Sequence, residues 1–346
     1  MGIGEMTKEI IEQGKILKSF ECVERMSSLE RKLYFEDLYT ICKGRKPKKN
    51  TNHLVIKTLG KIIPILRNFE IEIEGQDNIP TGKSAIFICN HSNTHDAFIA
   101  REVFNRFKKD VTTLVAWDGL NWMSRLIFRL CDCTLIKRDN AESKENGMLD
   151  FCSKVISGKN GFIFGEATWN LHPVKPMQNI KAGVTEAALI TDAVIIPTIF
   201  EYVEVDWLCK KEKELYTKCV VSFGRPYSVS TDKGLFEQTN QLQNIMESMR
   251  KSIWEREGVK RVELSDVNIE RYINHTYLKK FKAFGFKYDT NLESRFLLRK
   301  GQSIENEYIV DFQGRFTPGV IDGQVLKKGQ KRNERKKGIN GLSVCR

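Results

Sequence analysis

Between about residue 70 and residue 260, short apolar runs alternate with stretches whose apolar positions recur at helical spacing. The runs AIFIC (85–89), TLVA (113–116), FIF (162–164), VIIPTIF (194–200) and CVVSF (219–223) are apolar or nearly so at consecutive positions. That is the pattern of strands covered on both faces. A further strand is expected from Thr134, delivering Lys137 and Arg138 at its end. Between the runs lie helical candidates: AFIAREVFNRFKK, NWMSRLIFRL, ENGMLDFCSKVIS and KAGVTEAALI, with a long closing helix over 236–257. Such alternation predicts an α/β domain with a central, largely parallel sheet flanked by helices.

The flanking regions read differently. Residues 1–50 are expected to form an amphipathic helical extension of mixed charge, ending in a basic, Pro-containing linker. In 53–69, helical spacing places Val55, Leu59, Ile62, Leu66 and Phe69 on one face, opposite Lys57, Lys61 and Asn68, with Pro64 kinking or splitting the helix. This segment suits either a helix packed on the core or a surface helix dipping into a bilayer with its lysines at the headgroups. The main domain is therefore drawn over 51–260, and 261–346 is a C-terminal extension of weak periodicity ending in a basic tail.

Composition narrows the class. The 346 residues are 41% hydrophobic and 29% charged, which excludes wholesale disorder. Nine cysteines, an odd number with no CxxC pair, argue for reduced thiols and against a zinc cage. The polar, acid-containing start MGIGEMTKEIIEQG argues against a signal peptide, and Met6 does not fit a myristoylation pattern. No run approaches eighteen apolar residues, so the chain is expected to be soluble or to lie on a surface. The net charge of +12 first suggests nucleic acid, but its distribution does not. Residues 43–49 carry five positive charges and no acid; residues 327–337 carry seven, opposed only by Glu334. The remaining chain is nearly neutral, which points to two basic patches rather than a nucleic-acid groove.

Polar residues cluster where the expected strands end, the usual place for ligands and catalytic groups in such sheets. After AIFIC comes Asn90-His91, with Asp96 five residues beyond His91. An aspartate accepting from one imidazole nitrogen fixes the tautomer and raises the basicity of the other, which makes His91 a candidate general base. The alternative is that the pair only caps the helix beginning near Ala97; His95 is the competing histidine. After FIF come Gly165, Glu166, Ala167 and Thr168, followed by Lys175 and Lys181. This loop could hold a phosphate between backbone amides and a lysine, or be a tight turn with Glu166 in a structural hydrogen bond. Arg138 could bind a phosphate or pair with Asp139 at the surface.

The order of these segments resembles the glycerophospholipid acyltransferase family, which includes lysophosphatidic acid acyltransferases. That family shows His-x4-Asp, then a motif ending in Arg, then Phe-Pro-Glu-Gly-Thr, then an apolar strand ending in Pro. Here these read His91–Asp96, Arg138, Phe164-Gly165-Glu166-Ala167-Thr168 and Val194-Ile195-Ile196-Pro197. The lead-in Glu74-Gly75-Gln76-Asp77-Asn78-Ile79-Pro80 adds to the likeness, which covers roughly 70–230. The resemblance implies a glycerol-3-phosphate acyltransferase-like fold. It implies that His91 deprotonates an acceptor hydroxyl while Asp96 orients it, and that the hydroxyl attacks an acyl thioester directly. Arg138, Gly165, Glu166, Thr168 and Lys181 would bind the acceptor, with Pro197 supporting the pocket. No metal or prosthetic group is implied; acyl-CoA or acyl-carrier protein would be the co-substrate, and a lysophospholipid such as lysophosphatidic acid the acceptor. With the basic patches, this places the chain as a cytoplasmic protein, peripheral on the cytoplasmic face of an anionic membrane, with no nucleic-acid partner. Two alternatives stand beside it: a non-enzymatic module binding an anionic surface or nucleic acid, and a catalytically weakened family member. The third motif departs from the family pattern at Gly165 and Ala167, and positive φ at 167 would strain the turn.

Overall fold

The computed structural model of the protein describes residues 16–46, 70–92, 96–117, 122–138, 140–167, 170, 176–203 and 218–259, with two short strands at 320–321 and 324–325. The expected membrane-facing segment 53–69, the first fifteen residues, the basic stretch from 47 onward, His95, Asp139, Thr168, Lys175 and nearly all of the C-terminal extension lie outside the described residues.

Two helices come first, α1 (Phe20–Arg25) and α2 (Ser28–Gly44), the second opened by a capping box between Ser27 and Glu30. The main sheet comprises β1 (Glu70–Glu74), β2 (Ala85–Cys89), β3 (Val111–Ala116), β4 (Thr134–Ile136), β5 (Asn160–Phe164), β6 (Val194–Val203) and β7 (Lys218–Phe223). Between these strands lie α3 (Asp96–Arg106), α4 (Trp122–Leu130), α5 (Ala141–Ile156) and α6 (Gly183–Thr191), and α7 (Leu235–Arg256) follows β7. The strand order is β1-β7-β6-β2-β5-β3-β4, parallel throughout except between β6 and β7. The sheet is thus mixed and largely parallel, flanked by helices as the alternation predicts. Strands β8 (Val320–Ile321) and β9 (Gln324–Val325) form a separate antiparallel pair.

Why the central runs are apolar at every position is clear from the packing. In β2, Ala85, Phe87 and Cys89 enter one core with Ile99, Val103 and Phe104 of α3. Ile86 and Ile88 point the other way, into a core shared with α1, α2, α5, α6 and α7. A strand covered on both faces has no position to give to water. Each large side chain so buried contributes about 1.5–3 kcal/mol. Residues 20–44 belong to this second core: Tyr34, Phe35, Leu38 and Cys42 pack with Leu149, Cys152 and Ala188. The turn after β1 requires glycine, since Gly75 has φ +65° and a Cβ there would lie 2.1 Å from the carbonyl oxygen of Phe223.

One group sits uneasily in this core. Glu186 on α6 is 3% exposed, and its Oε1 has no hydrogen-bond partner among the described residues. Burial pushes its carboxyl up from 4.5 to about 8. The folded protein therefore keeps a proton that the unfolded chain releases. Stability from this site is full below about pH 4.5 and is lost as pH rises toward about 8, on the order of 1 kcal/mol per pH unit within that window. Glu186→Gln should flatten this dependence. Denaturant unfolding of both proteins between about pH 5 and 8 checks it: the parent's midpoint falls more steeply with pH than the variant's.

Candidate active site

The site forms where β2 stops and β6 continues. Cys89, the last residue of β2, pairs with Thr198, so β6 runs on through Val203 beyond the end of its neighbour. Asn90 closes this edge with its side chain. Its Nδ2 donates to the Phe200 carbonyl at 2.9 Å, and its Oδ1 accepts from the Phe200 amide at 2.8 Å. A fully buried amide thus replaces two backbone partners that the ended strand no longer supplies.

His91 follows directly. Its ring stacks on Phe164, the last residue of β5, with centroids 4.0 Å apart and planes 18° from parallel. Its Nδ1 donates to Asp96 Oδ2 at 2.8 Å, and the Ser92 amide donates to the same oxygen at 2.8 Å. Asp96 has no exposure at all, whereas 17% of the His91 side chain is accessible. The pair expected from sequence spacing is therefore assembled. Asp96 is also the first residue of α3.

Glu166 lies behind His91. Its Oε2 accepts from the His91 amide at 2.8 Å and its Oε1 from the Gln178 amide at 2.7 Å. At 1% exposure, burial pushes its carboxyl up to about 8, against the opposite pull of those two amides and of the Arg250 cation. Glu166 thereby ties the turn after β2 to the turn after β5 and to the segment leading into α6. The Asn170 amide, donating to the His91 carbonyl at 2.5 Å, adds to this tie.

The turn itself is tight. The Gly165 amide donates to Cys89 O and the Lys181 amide to Gly165 O, each at 2.9 Å, and the Ala167 amide donates to Phe164 O at 3.1 Å. A Cβ at Gly165 would come within 2.6 Å of Ile88 Cδ1. Proline at this position would also lose the donor to Cys89. Ala167 has φ +57°, the left-handed conformation that the altered third motif was expected to strain. Arg138 reaches the same turn, donating to the Ala167 carbonyl at 3.0 Å. Lys181 is exposed, at the mouth of the same turn. The structure thus gathers His91, Asp96, Arg138, Gly165, Glu166 and Lys181 around the ends of β2, β4 and β5.

Two residues in or beside the site escape sequence reasoning. Tyr202, on the β6 overhang, donates its hydroxyl to Asp96 Oδ1 at 2.5 Å. Arg250, on α7, is buried; it donates to Glu201 Oε2 at 2.6 Å and to the Pro176 carbonyl. Arg250 had a legible signal, because it falls in the buried stripe of α7 between Met246 and Ile253. A cation at such a position calls for a buried carboxylate. Tyr202 had only its place at the carboxyl end of a buried strand.

Among the described residues no group of three His, Cys, Asp or Glu side chains could hold a metal ion, and no helix is long and apolar enough to cross a membrane. Ala167→Gly should relieve the left-handed strain at the turn and raise stability by about 0.5–1 kcal/mol, the flexibility of glycine in the unfolded chain offsetting part of the gain. Equilibrium denaturation measures this, and an unchanged or lower midpoint would count against strain at the turn.

The chain matches no curated protein. Among solved structures it is similar to the 1-acyl-sn-glycerophosphate (LPA) acyltransferase PlsC of Thermotoga maritima, at 14% identity over 65% of this chain and 87% of that one, with a TM-score of 0.41. In sequence, residues 70–201, the stretch that carries His91, Asp96, Arg138, Gly165, Glu166 and Lys181, match the model of the family described as Acyltransferase.

Proposed function

We propose that the protein transfers a fatty acyl group from an acyl thioester to the hydroxyl of lysophosphatidic acid or a related lysophospholipid or glycerol phosphate. The observation that carries this reading is the His91–Asp96 pair, buried on the aspartate side and accessible on the histidine side, at the carboxyl ends of parallel strands. With Nδ1 held by Asp96, proton transfer falls to Nε2. Nε2 takes the acceptor hydroxyl proton as the oxygen attacks the thioester carbonyl. The tetrahedral adduct then collapses, the C–S bond breaks, and the departing sulfur takes up the proton from the imidazolium. Asp96 stabilises that imidazolium, and stacking on Phe164 keeps the ring in place. No acyl-enzyme and no metal is needed in this sequence of steps.

The acceptor's phosphate would meet Arg138 and Lys181, the cations beside the Gly165–Ala167 turn, together with Thr168. Glu166, with both oxygens taken by backbone amides, holds the turn that presents them. Acyl-CoA or acyl-carrier protein would supply the acyl group. The basic stretch at 43–49 and the amphipathic stretch at 53–69 would hold the protein on an anionic leaflet, each basic residue near the surface contributing about 1 kcal/mol.

Two measurements test these assignments. Purified protein with a labelled acyl thioester and a panel of glycerol 3-phosphate, lysophosphatidic acid and lysophospholipids should show transfer, and His91→Ala should lower it by at least about 100-fold with the fold intact. Undiminished transfer by that variant removes His91 from the mechanism. In liposome flotation, the protein should float with vesicles containing anionic lipid and much less with neutral ones; equal binding to both counts against electrostatic docking.

A further inference from the structure

Asp96 is held from a third direction that the His91–Asp96 spacing does not reveal. One oxygen of its carboxylate takes the His91 ring proton and the Ser92 amide; the other takes the Tyr202 hydroxyl at 2.5 Å. Tyr202 is 6% exposed and packs in the α3-side core with Phe200 and Ile196. Its position follows from the register. Phe200 is locked to Asn90 by two hydrogen bonds, and Tyr202, two residues on, lies on the same face of β6, toward the start of α3.

We infer that Tyr202 is a positioning residue for the reaction, holding the Asp96 carboxylate in the orientation that serves His91 and keeping the imidazole in its unprotonated, proton-accepting form. A hydroxyl pointing its hydrogen at a carboxylate places a positive dipole end beside the dyad. That favours the state of net charge −1, with neutral imidazole, over the state in which the imidazole carries a proton. The same hydrogen bond fixes the carboxylate plane, and with it the direction in which Nε2 faces an acceptor. Other titratable groups around Asp96 are Glu166 in the turn after β5, Arg250 on α7, Cys89 on β2 and Cys219 on β7. Replacing the tyrosine oxygen leaves all of them in place. The inference rests on His91 acting as the base, as proposed above.

Tyr202→Phe removes one oxygen and keeps the ring in its core. The expected result is a kcat about tenfold lower with KM for both substrates changed less than about twofold. The acidic limb of kcat/KM against pH should move to higher pH by about half a unit to one unit, and the His91 imidazole titration followed by NMR should move with it. A second substitution keeps the test open should the phenylalanine variant fold poorly. 3-Fluorotyrosine incorporated at position 202 has a more acidic hydroxyl, donates more strongly, and should move both pH readings the other way. An unchanged imidazole titration in both proteins overturns the inference and leaves Tyr202 as a packed side chain with a satisfied hydroxyl. The NMR arm needs no substrate, so it separates the two possible failures: full activity of His91→Ala sinks the base assignment, while the titration still reports on Tyr202.

Discussion

A carboxylate with no access to water has to be met by donors on every side, because its desolvation otherwise costs several kcal/mol. Asp96 is in that position. Its donors come from the turn after β2, through His91 and Ser92, and from the β6 overhang, through Tyr202. Neither arrangement exists unless β2 and β6 pair in register and β6 extends past the point where β2 stops. The same need recurs one layer away. Glu166 is buried behind His91 and met by two backbone amides, and Glu201 is met by Arg250. The geometry at the ends of the strands is therefore set by where buried carboxylates find their donors, and the apolar cores on either side make that requirement strict.

Much of the frame is legible from pattern. Continuous apolar runs mark β2, β6 and β7, because a strand buried on both faces leaves no room for alternation, and the amphipathic stretches between strands are helices within a few residues of their expected bounds. The His91–Asp96 contact is legible from spacing, since a short turn into a helix brings those positions together. One strand escapes this pattern. β1 (EIEIE) alternates strictly, as suits an edge strand half open to water, yet offers no long apolar run. α2 falls in the stretch read as amphipathic and helical, and Tyr34, Phe35 and Leu38 form its buried stripe. Tyr202 and Arg250 were not foreseen because their partners lie 106 and 49 residues away in the chain. Contacts of that range depend on register and helix placement, which local periodicity does not encode.

The third motif shows how one residue's conformation bears on its neighbours. Ala167 accepts a left-handed backbone, and its carbonyl is then turned to Arg138. Gly165 keeps an amide that bonds back to β2 and leaves space for Ile88. Both departures from Phe-Pro-Glu-Gly-Thr are compatible with a closed turn. One adds a hydrogen bond that proline lacks, and the other costs strain that glycine avoids.

The overhang of β6 carries Glu201 and Tyr202 side by side in sequence and on opposite faces of the strand. A slip of one residue in one direction would put Glu201 where Tyr202 stands and Phe200 where Glu201 stands. The carboxylate of Glu201 would then face Asp96 with no cation between them, and a phenylalanine would face Arg250. The mispaired sheet would bury two like charges together and strand a guanidinium, a penalty far larger than the loss of a few apolar contacts. Two adjacent polar residues thus penalise one of the two neighbouring registers by electrostatic repulsion, before any substrate is met.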